Sequence, residues 1–359
     1  MKMEEQGTPD AGQASKSVTV VLLVLLAFTL VLVVLSFPAG AYAVFSGGLS
    51  SKLGYASFVP TFLWLGPESV LLPFTVPIGG VFLLISAVYV GFFVLGFLQP
   101  RSPFEAARGA FSSGVGALAG SPFIVTLVAI GFLNFTAIIV TALSQAAAGS
   151  VGNPFSGVDP LLEFGSLAMA PLREEFGFRM VLIGLVAFVL SIGKPTREAL
   201  RALWRPSAAY EGALVGGGAS VIIWAATAAS AATFGVCHVT CGGGGGWNWS
   251  KLPEATWGGL VLGYLYVKYG FHVAVLTHWG IDYLGSVFSF FGQAAYGIPA
   301  GSTTAEYVLQ YLVDVDMVLL FGLACFILVT YLGVKKYLGT RRDAGVVDKG
   351  PPLGGGLEA

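Results

Sequence analysis

The sequence has little charge. Lys, Arg, Asp and Glu together make up 10% of its 359 residues, whereas a soluble globular domain carries roughly 25%. This is too little polar surface to coat a water-exposed body, so the composition excludes ordinary soluble domains. The net charge of −1 gives no global attraction to nucleic acid, and we expect no such partner. Three cysteines, Cys237, Cys241 and Cys325, cannot form a disulfide framework, and at most one pair can bridge.

Apolar residues are abundant instead, at 55% of the chain with a mean hydropathy of +0.81. Uninterrupted apolar runs recur at the length that crosses a bilayer, roughly 20 residues. The sequence therefore predicts an all-α polytopic membrane protein, with about eight transmembrane helices enclosing a polar cavity. Pro73 and Pro77 are expected to kink or delay the second helix, and residues 255–269 are short for a perpendicular span. The predicted spans are 18–35, 70–98, 114–148, 161–190, 212–240, 255–269, 271–291 and 307–334.

The positions of Lys and Arg predict the orientation of these spans. With the N-terminus inside, only Lys52 and Lys251 fall in outside segments, and Arg173 and Arg179 lie within a span. The other fourteen fall inside: Lys2, Lys16, Arg101, Arg108, Lys194, Arg197, Arg201, Arg205, Lys268, Lys335, Lys336, Arg341, Arg342 and Lys349. Because cytoplasmic loops carry an excess of Lys and Arg, this bias predicts a multi-pass protein of the cell membrane with both termini cytoplasmic.

The chain divides by composition around these spans. We expect a disordered polar tail at 1–17, transmembrane helices one to three within 18–150, a core at 151–295, a last transmembrane helix within 296–338 and a flexible cytoplasmic tail at 339–359. A cleavable signal peptide is the alternative for the first helix, since Ala39-Gly40-Ala41 resembles a small-residue cleavage site. The long apolar run and the lack of a compact basic region before it favour a membrane helix.

The fourth predicted span contains several charged residues. Ionisable groups inside a membrane are costly, so they indicate function by default. Glu175 and Arg179 are four residues apart and can pair on one helical face. Glu174 projects about 100° away from Glu175 and can face another group. A merely structural Glu–Arg pair explains Glu175 and Arg179 but leaves Arg173 and Glu174 without an obvious role.

Two later spans add histidines. Phe234 and His238 lie four residues apart in the fifth span, so the phenyl ring can pack against the imidazole. His278 and Asp282 have the same spacing in the seventh span. Each pattern alone is also what a hydrogen-bonded core histidine gives. On three converging helices, however, these groups would form a water-holding pocket in which a carboxylate and an imidazole can deprotonate a water.

The three motifs resemble those of a known family in the same order along the chain. Residues 174–179 fit EExxxR, residues 234–238 fit FxxxH, and residues 278–282 fit HxxxN/D. The chain thus resembles the CPBP family, which comprises CAAX prenyl proteases of the Ras-converting type and bacteriocin-processing or self-immunity relatives, also called Abi proteins. The resemblance covers roughly residues 155–295.

The resemblance implies a glutamate-dependent intramembrane endopeptidase without metal or cofactor, acting on a membrane-associated protein or peptide in the bilayer. Glu174 would be the general base and His238 its partner on the water. His278 and Asp282 would form the oxyanion side, while Glu175, Arg179 and Phe234 would orient the site. Many members have asparagine in place of Asp282, and an ionised aspartate cannot donate to an oxyanion. We therefore expect Asp282 to orient His278; a protonated Asp282 that donates directly is the alternative.

Two other functions remain open from the residues alone. Glu174, His238 and His278 could bind Zn²⁺ with one open position, with Cys237 and Cys241 as extra ligands, although no HExxH pair is present. A transporter or a non-catalytic membrane scaffold could also use buried carboxylates and histidines. Serine chemistry is not favoured, because the sequence has no G-x-S-x-G elbow.

Overall fold

The computed structural model describes residues 11–50, 52–99, 101–210, 217–241, 246–297 and 308–347. Within them a two-stranded sheet is the only sheet, and the rest of the regular structure is helical. The strands are β1 (Phe58–Leu65) and β2 (Glu68–Pro77). The helices are α1 (Ala11–Phe45), α2 (Ile78–Phe97), α3 (Pro103–Ser113), α4 (Pro122–Ala148), α5 (Pro160–Glu174), α6 (Leu185–Val189), α7 (Thr196–Trp204), α8 (Gly218–Thr240), α9 (Leu252–Tyr269), α10 (Phe271–Asp282), α11 (Val287–Tyr296), α12 (Val308–Val315) and α13 (Phe321–Val347).

Shorter segments connect some of these helices. Two of them are π-helical, at Glu175–Gly184 between α5 and α6 and at Asp316–Leu320 between α12 and α13. A 3-10 turn at Val115–Gly120 precedes α4. Two further 3-10 turns lie at Pro206–Ala209 and Trp249–Lys251.

The predicted all-α polytopic membrane fold is confirmed. Five helices are long and apolar enough to cross a bilayer: Lys16–Phe45, Ile78–Phe97, Pro122–Ala148, Gly218–Thr240 and Phe321–Gly339. Three other predicted spans are not in this set. The 161–190 span is interrupted by a π-helical segment, α9 carries Glu254 and Lys268, and the 271–291 span divides into α10 and α11. The count of eight therefore stays a prediction.

The second predicted span begins later than we expected, because a β-hairpin comes before it. Residues 70–77 belong to β2, which pairs antiparallel with β1 from Phe58↔Pro77 to Leu65↔Glu68. Gly66 adopts a φ of +70° at the first position of the two-residue turn, a conformation that glycine tolerates best. α2 starts at Ile78, directly after Pro77, since proline tolerates an extended conformation before a helix but not the helix interior.

Both ends of the described chain are more helical than predicted. α1 begins at Ala11 and α13 continues to Val347, so residues 11–17 and 339–347 are helical where tails were expected. Once the chain is committed to a long apolar helix, adding a residue gains a backbone hydrogen bond at small cost, which extends the helix past its apolar part. The remaining tail residues, 1–10 and 348–359, lie outside the described residues. The same holds for residues 212–216 of the fifth predicted span and residue 307 of the eighth.

α10 lies at the centre of the helical bundle. Every residue from Phe271 to Gly280 is buried, which is the pattern of a helix covered on all sides. It packs against α2, α4, α5 and α9. A Cβ at Gly280 would lie 2.5 Å from side-chain atoms of Ile130, so the close approach of α10 to α4 requires glycine at that position. This packing fixes His278 in the interior.

Small residues bring α8 and α9 together. A Cβ at Gly259 would lie 2.9 Å from the Cα of Ala231, and one at Gly263 would lie 2.7 Å from Thr227 Cγ2. Close backbone approach through small residues is how membrane helices gain packing energy, because lipid supplies no hydrophobic drive. The interface holds the last turn of α8, which carries His238, beside the bundle.

Candidate active site

The first carboxylates of the site lie where α5 changes into the π-helical segment. Glu174 is the last residue of α5 and Glu175 the first of the π segment. Pro171 lies one turn before, inside α5, and has no N–H to donate to the preceding turn. π segments frequently occur at functional sites because they alter which side chains share a face. The sequence predicted an unbroken α-helix here, which the structure corrects.

Glu175 connects Arg179 and His278. Its Oε2 lies 3.1 Å from Arg179 Nε, the pair that the spacing of four predicted. Its Oε1 lies 2.9 Å from His278 Nδ1. Since an ionised carboxylate only accepts hydrogen bonds, Nδ1–H donates to Glu175. The side chains of Glu175 and Arg179 are fully buried, so this carboxylate fixes the orientation of the imidazole away from water.

Two more accessible carboxylates face the other nitrogen of the same ring. His278 Nε2 lies 3.3 Å from Asp282 Oδ2 and 3.9 Å from Glu174 Oε2. The side chains of Asp282 and Glu174 are 22% and 19% exposed, whereas that of Glu175 is not exposed at all. The ring is therefore held at Nδ1 by a buried group and faces the accessible side of the site with Nε2.

His238 is oriented by its own helix. Its Nδ1 lies 2.9 Å from the Phe234 carbonyl oxygen. Because a carbonyl can only accept, Nδ1 carries the hydrogen, which leaves Nε2 of the neutral ring as an acceptor. An imidazole with a free acceptor nitrogen can take a proton from water.

Phe234 lies between the parts of the site. Its ring packs edge-on against His238 at 4.5 Å and against His278 at 6.0 Å between centroids. The Arg179 guanidinium carbon lies 4.3 Å from the centre of the same ring. The two imidazoles therefore both pack against one phenyl ring.

The structure does not bring every predicted pair into contact. Among the described residues, His238 makes no hydrogen bond or ion pair with Glu174, His278 or Asp282. The sharing of one water by Glu174 and His238 stays a prediction. The same part of the chain contains no group of three or more His, Cys, Asp or Glu side chains arranged as metal ligands. Cys237 and Cys241, considered as extra zinc ligands, are joined in a disulfide.

Two residues that support the site carry no recognisable motif in the sequence. Trp64 of β1 packs against Phe178 of the π segment, with ring centroids 6.1 Å apart. Ser230 of α8 donates from Oγ to the Phe178 carbonyl oxygen at 2.5 Å. Neither belongs to a charged motif, and Trp64 falls in a segment without a clear helical pattern. The signal available in the sequence was the polar Ser230 one turn before Phe234.

Comparison with known proteins identifies the segment that contains these residues. Residues 159–284 match a family model described as type II CAAX prenyl endopeptidase Rce1-like. This segment is similar to the Rce1-like endopeptidases. It is consistent with the CPBP family and contains all of the candidate site residues that the sequence motifs indicated. No curated protein and no solved structure matches the chain. This similarity supports intramembrane protease activity in general and an integral membrane location.

Proposed function

We propose that the protein is an intramembrane endopeptidase that hydrolyses a peptide bond of a membrane-associated protein or peptide with a glutamate- and histidine-activated water. Prenylated C-terminal tails of the CAAX type, named in the description of the matched family, are included in the proposed substrate class. The observation that carries the proposal is the grouping of Glu174, Glu175 and Asp282 around His278, with His238 and its acceptor nitrogen packed on the same phenyl ring.

In the proposed mechanism, Glu174 takes one proton of the attacking water, while Nε2 of His238 accepts a hydrogen bond from the same water. The hydroxide adds to the scissile carbonyl carbon, and the carbonyl oxygen becomes an oxyanion. The base then gives the proton to the leaving amine as the carbon–nitrogen bond breaks. Glu174 suits the base role because its carboxylate is accessible, whereas Glu175 is fully buried and engaged with Arg179 and His278.

His278 would stabilise the oxyanion through Nε2. Since Nδ1 already carries the hydrogen that Glu175 accepts, a donating Nε2 requires a protonated ring. The nearby carboxylates of Glu175 and Asp282, at 2.9 and 3.3 Å, stabilise the positive charge of that ring. Asp282 would therefore support a donating imidazole without donating itself. Because Glu175 holds Nδ1, the orienting role of Asp282 stays a prediction.

Peptide cleavage by the purified protein in detergent tests the base. Glu174→Gln and His238→Ala should each lower the rate by about 10²–10⁴-fold, and the double variant should be no worse, since both act on one water. Glu163→Gln, also on α5, is the matched control and should remain active. More than about a tenth of the activity in Glu174→Gln would contradict a general-base role.

The same assay distinguishes a metal mechanism. EDTA and phenanthroline should leave the rate unchanged, and elemental analysis should find no stoichiometric metal. About one zinc per chain, lost together with activity, would favour the zinc protease.

A further inference from the structure

A cavity lies away from the candidate active site, between α4, α9 and α13. Its volume is about 570 Å³, within the range of small-molecule sites. Apolar side chains form its walls, among them Val128 of α4, Val261 of α9 and Leu328 of α13. Leu260 and Val329 also line it and are 39% and 37% exposed. The cavity is therefore open sideways, where the bilayer would be.

The dimensions of the cavity suit an extended hydrocarbon chain. Its α9 wall runs from Trp257 to Tyr269, which at 1.5 Å per residue is about 18 Å. The hydrocarbon core of one leaflet is roughly 15 Å thick. At the Trp257 end of this wall, Trp257 Nε1 donates to Thr136 Oγ1 at 2.8 Å. The indole N–H is therefore already hydrogen-bonded and needs no polar group from a ligand.

Positive charge lies only at the other end of the described lining. Lys336 is the one charged residue among the cavity walls. The side chain of Arg101 lies against Gly120, where a Cβ would be 2.7 Å from Arg101 Nη1, and Gly120 follows the lining residue Ala119. Lys268 is exposed one residue before Tyr269. The site thus has an apolar body and a cationic mouth.

The cavity is separate from the proposed reaction. Its walls come from α4, α9, α13 and the 3-10 turn before α4, whereas the catalytic residues come from α5, the π segment, α8 and α10. Behind the cavity, Val273 of α10 packs against Ala129 and Leu265, so α10 lies between the two sites. A lipid tail attached to a substrate at the catalytic water is therefore not the occupant that this geometry favours.

We propose that this cavity binds an anionic phospholipid, with one acyl chain along α9 and the headgroup phosphate at Lys336. Basic pockets between membrane helices bind anionic headgroups, and each buried methylene of the chain adds to the affinity. The proposal does not depend on protease activity, because its ligand is a component of the bilayer.

Native mass spectrometry of the delipidated protein in detergent tests the proposal. The probes are dioleoyl phosphatidylglycerol and dioleoyl phosphatidylcholine, which share acyl chains but differ in charge. One phosphatidylglycerol should be retained per chain, in clear preference to phosphatidylcholine. Equal retention of both lipids, or displacement of phosphatidylglycerol by an equimolar farnesyl-cysteine methyl ester, would overturn the proposal.

Two variant pairs locate the binding. Gly333 lines the cavity and a Cβ there meets nothing within 4 Å, so Gly333→Phe should fill the cavity and reduce retention at least tenfold. Gly339→Phe, on the same helix and equally unobstructed, should bind as wild type. Lys336→Gln should lower the preference for the anionic lipid about fivefold, and Lys335→Gln less. Wild-type retention by Gly333→Phe, with the fold intact by thermal unfolding, would refute the site.

Discussion

At the scale of single residues, the two ring nitrogens of His278 have different roles: one holds the ring in place and the other faces the reaction. Its Nδ1 donates to Glu175, which is fully buried, and its Nε2 faces the more accessible Asp282 and Glu174. A ring held at one nitrogen loses little freedom when the other acts in a transition state, which is the advantage of a preorganised site. Substitutions on the two sides of the ring should therefore differ in effect.

Asp282 should be replaceable by an amide but not by a hydrocarbon. Asp282 Oδ2 lies 3.3 Å from His278 Nε2. In Asp282→Asn, the amide Oδ1 can take the same position and accept the same hydrogen bond. We expect Asp282→Asn to keep activity within about tenfold and Asp282→Leu to lose about 10²-fold or more, measured as kcat/KM on one peptide. The Ser286 hydroxyl donates to the Asp282 backbone carbonyl, so this contact survives both changes. A fully active Asp282→Leu would leave the residue a structural role only.

Glu175 should matter for stability as well as for activity. Its pair with Arg179 is fully buried, and removing one member of such a pair typically costs about 3–5 kcal/mol. Glu175→Gln should lower the unfolding free energy by an amount of that order. Glu254→Gln, whose partner Lys251 is partly exposed, is the control and should cost about 1 kcal/mol or less.

The double variant Glu175→Gln/Arg179→Met supplies the sharper comparison. Methionine removes the isolated charge and can pack on Phe234, over which the Arg179 guanidinium now lies. The double variant should be more stable than Glu175→Gln without being more active, because it lacks the carboxylate that holds His278. If it is no more stable, the buried charge is not what makes the single variant unstable.

At the scale of elements, the π segment and the hairpin depend on each other. Trp64 of β1 forms an apolar cluster with Phe178, Phe234 and Cys237. A Cβ at Gly177 would lie 2.8 Å from Trp64 Cβ and 3.2 Å from its backbone carbonyl. Strand and π segment can approach this closely only because Gly177 has no side chain.

Gly177→Ala should therefore displace the hairpin from the site. The clash involves backbone atoms, which cannot move aside as a flexible side chain can, so we expect a loss of about 1–3 kcal/mol in stability together with slower cleavage. Gly258→Ala, on α9 where a Cβ meets nothing within 4 Å, should be neutral or stabilising, because alanine favours helix. Equal unfolding temperatures for both variants would show that the hairpin contact is dispensable.

The elements also show what the sequence could and could not predict. Apolar runs of membrane length identify α1, α2, α4, α8 and α13 because lipid requires them. The hairpin was missed because side chains on both faces of β2 are apolar and exposed, as at Leu71 and Phe74, and no alternation of apolar and polar residues marks the strand. The π segment was missed because its 10 residues are fewer than the window of about 11–18 residues over which a helical period can be read.

The candidate site was easier to predict than the elements that hold it. Charged residues within a span are rare, so Glu174, Glu175 and Arg179 were conspicuous. The contact of Asp282 with His278 follows from their spacing on α10. The position of Glu175 at the opposite nitrogen could not be predicted, because it depends on the packing of α10 against α5 and the π segment. Spacing along one helix says nothing of contacts between helices.

At the scale of the whole molecule, loops predicted on one side contact each other. Of those predicted outside, the Asn248 backbone N–H donates to the Val151 carbonyl oxygen at 2.8 Å, and a Cβ at Gly48 would meet the backbone of Ala294. From the segments predicted inside, Gln99 lies 3.1 Å from His272 and Trp204 packs against Phe271, the first two residues of the seventh predicted span. These contacts are what the predicted alternation of the spans requires, while the number of spans and their orientation stay predictions.

This alternation makes the orientation testable with single cysteines. Lys52 is predicted outside and Arg197 inside, and both are exposed. The native cysteines should not interfere: Cys237 and Cys241 form a disulfide and Cys325 is buried. In intact cells a membrane-impermeant maleimide should label Lys52→Cys but not Arg197→Cys, and Arg197→Cys should react once the membrane is permeabilised. The positive-inside bias gives this direction.

Labelling of Arg197→Cys in sealed cells, with Lys52→Cys protected, would reverse the orientation while leaving the alternation of helices intact. Labelling of both would contradict an odd number of crossings between them.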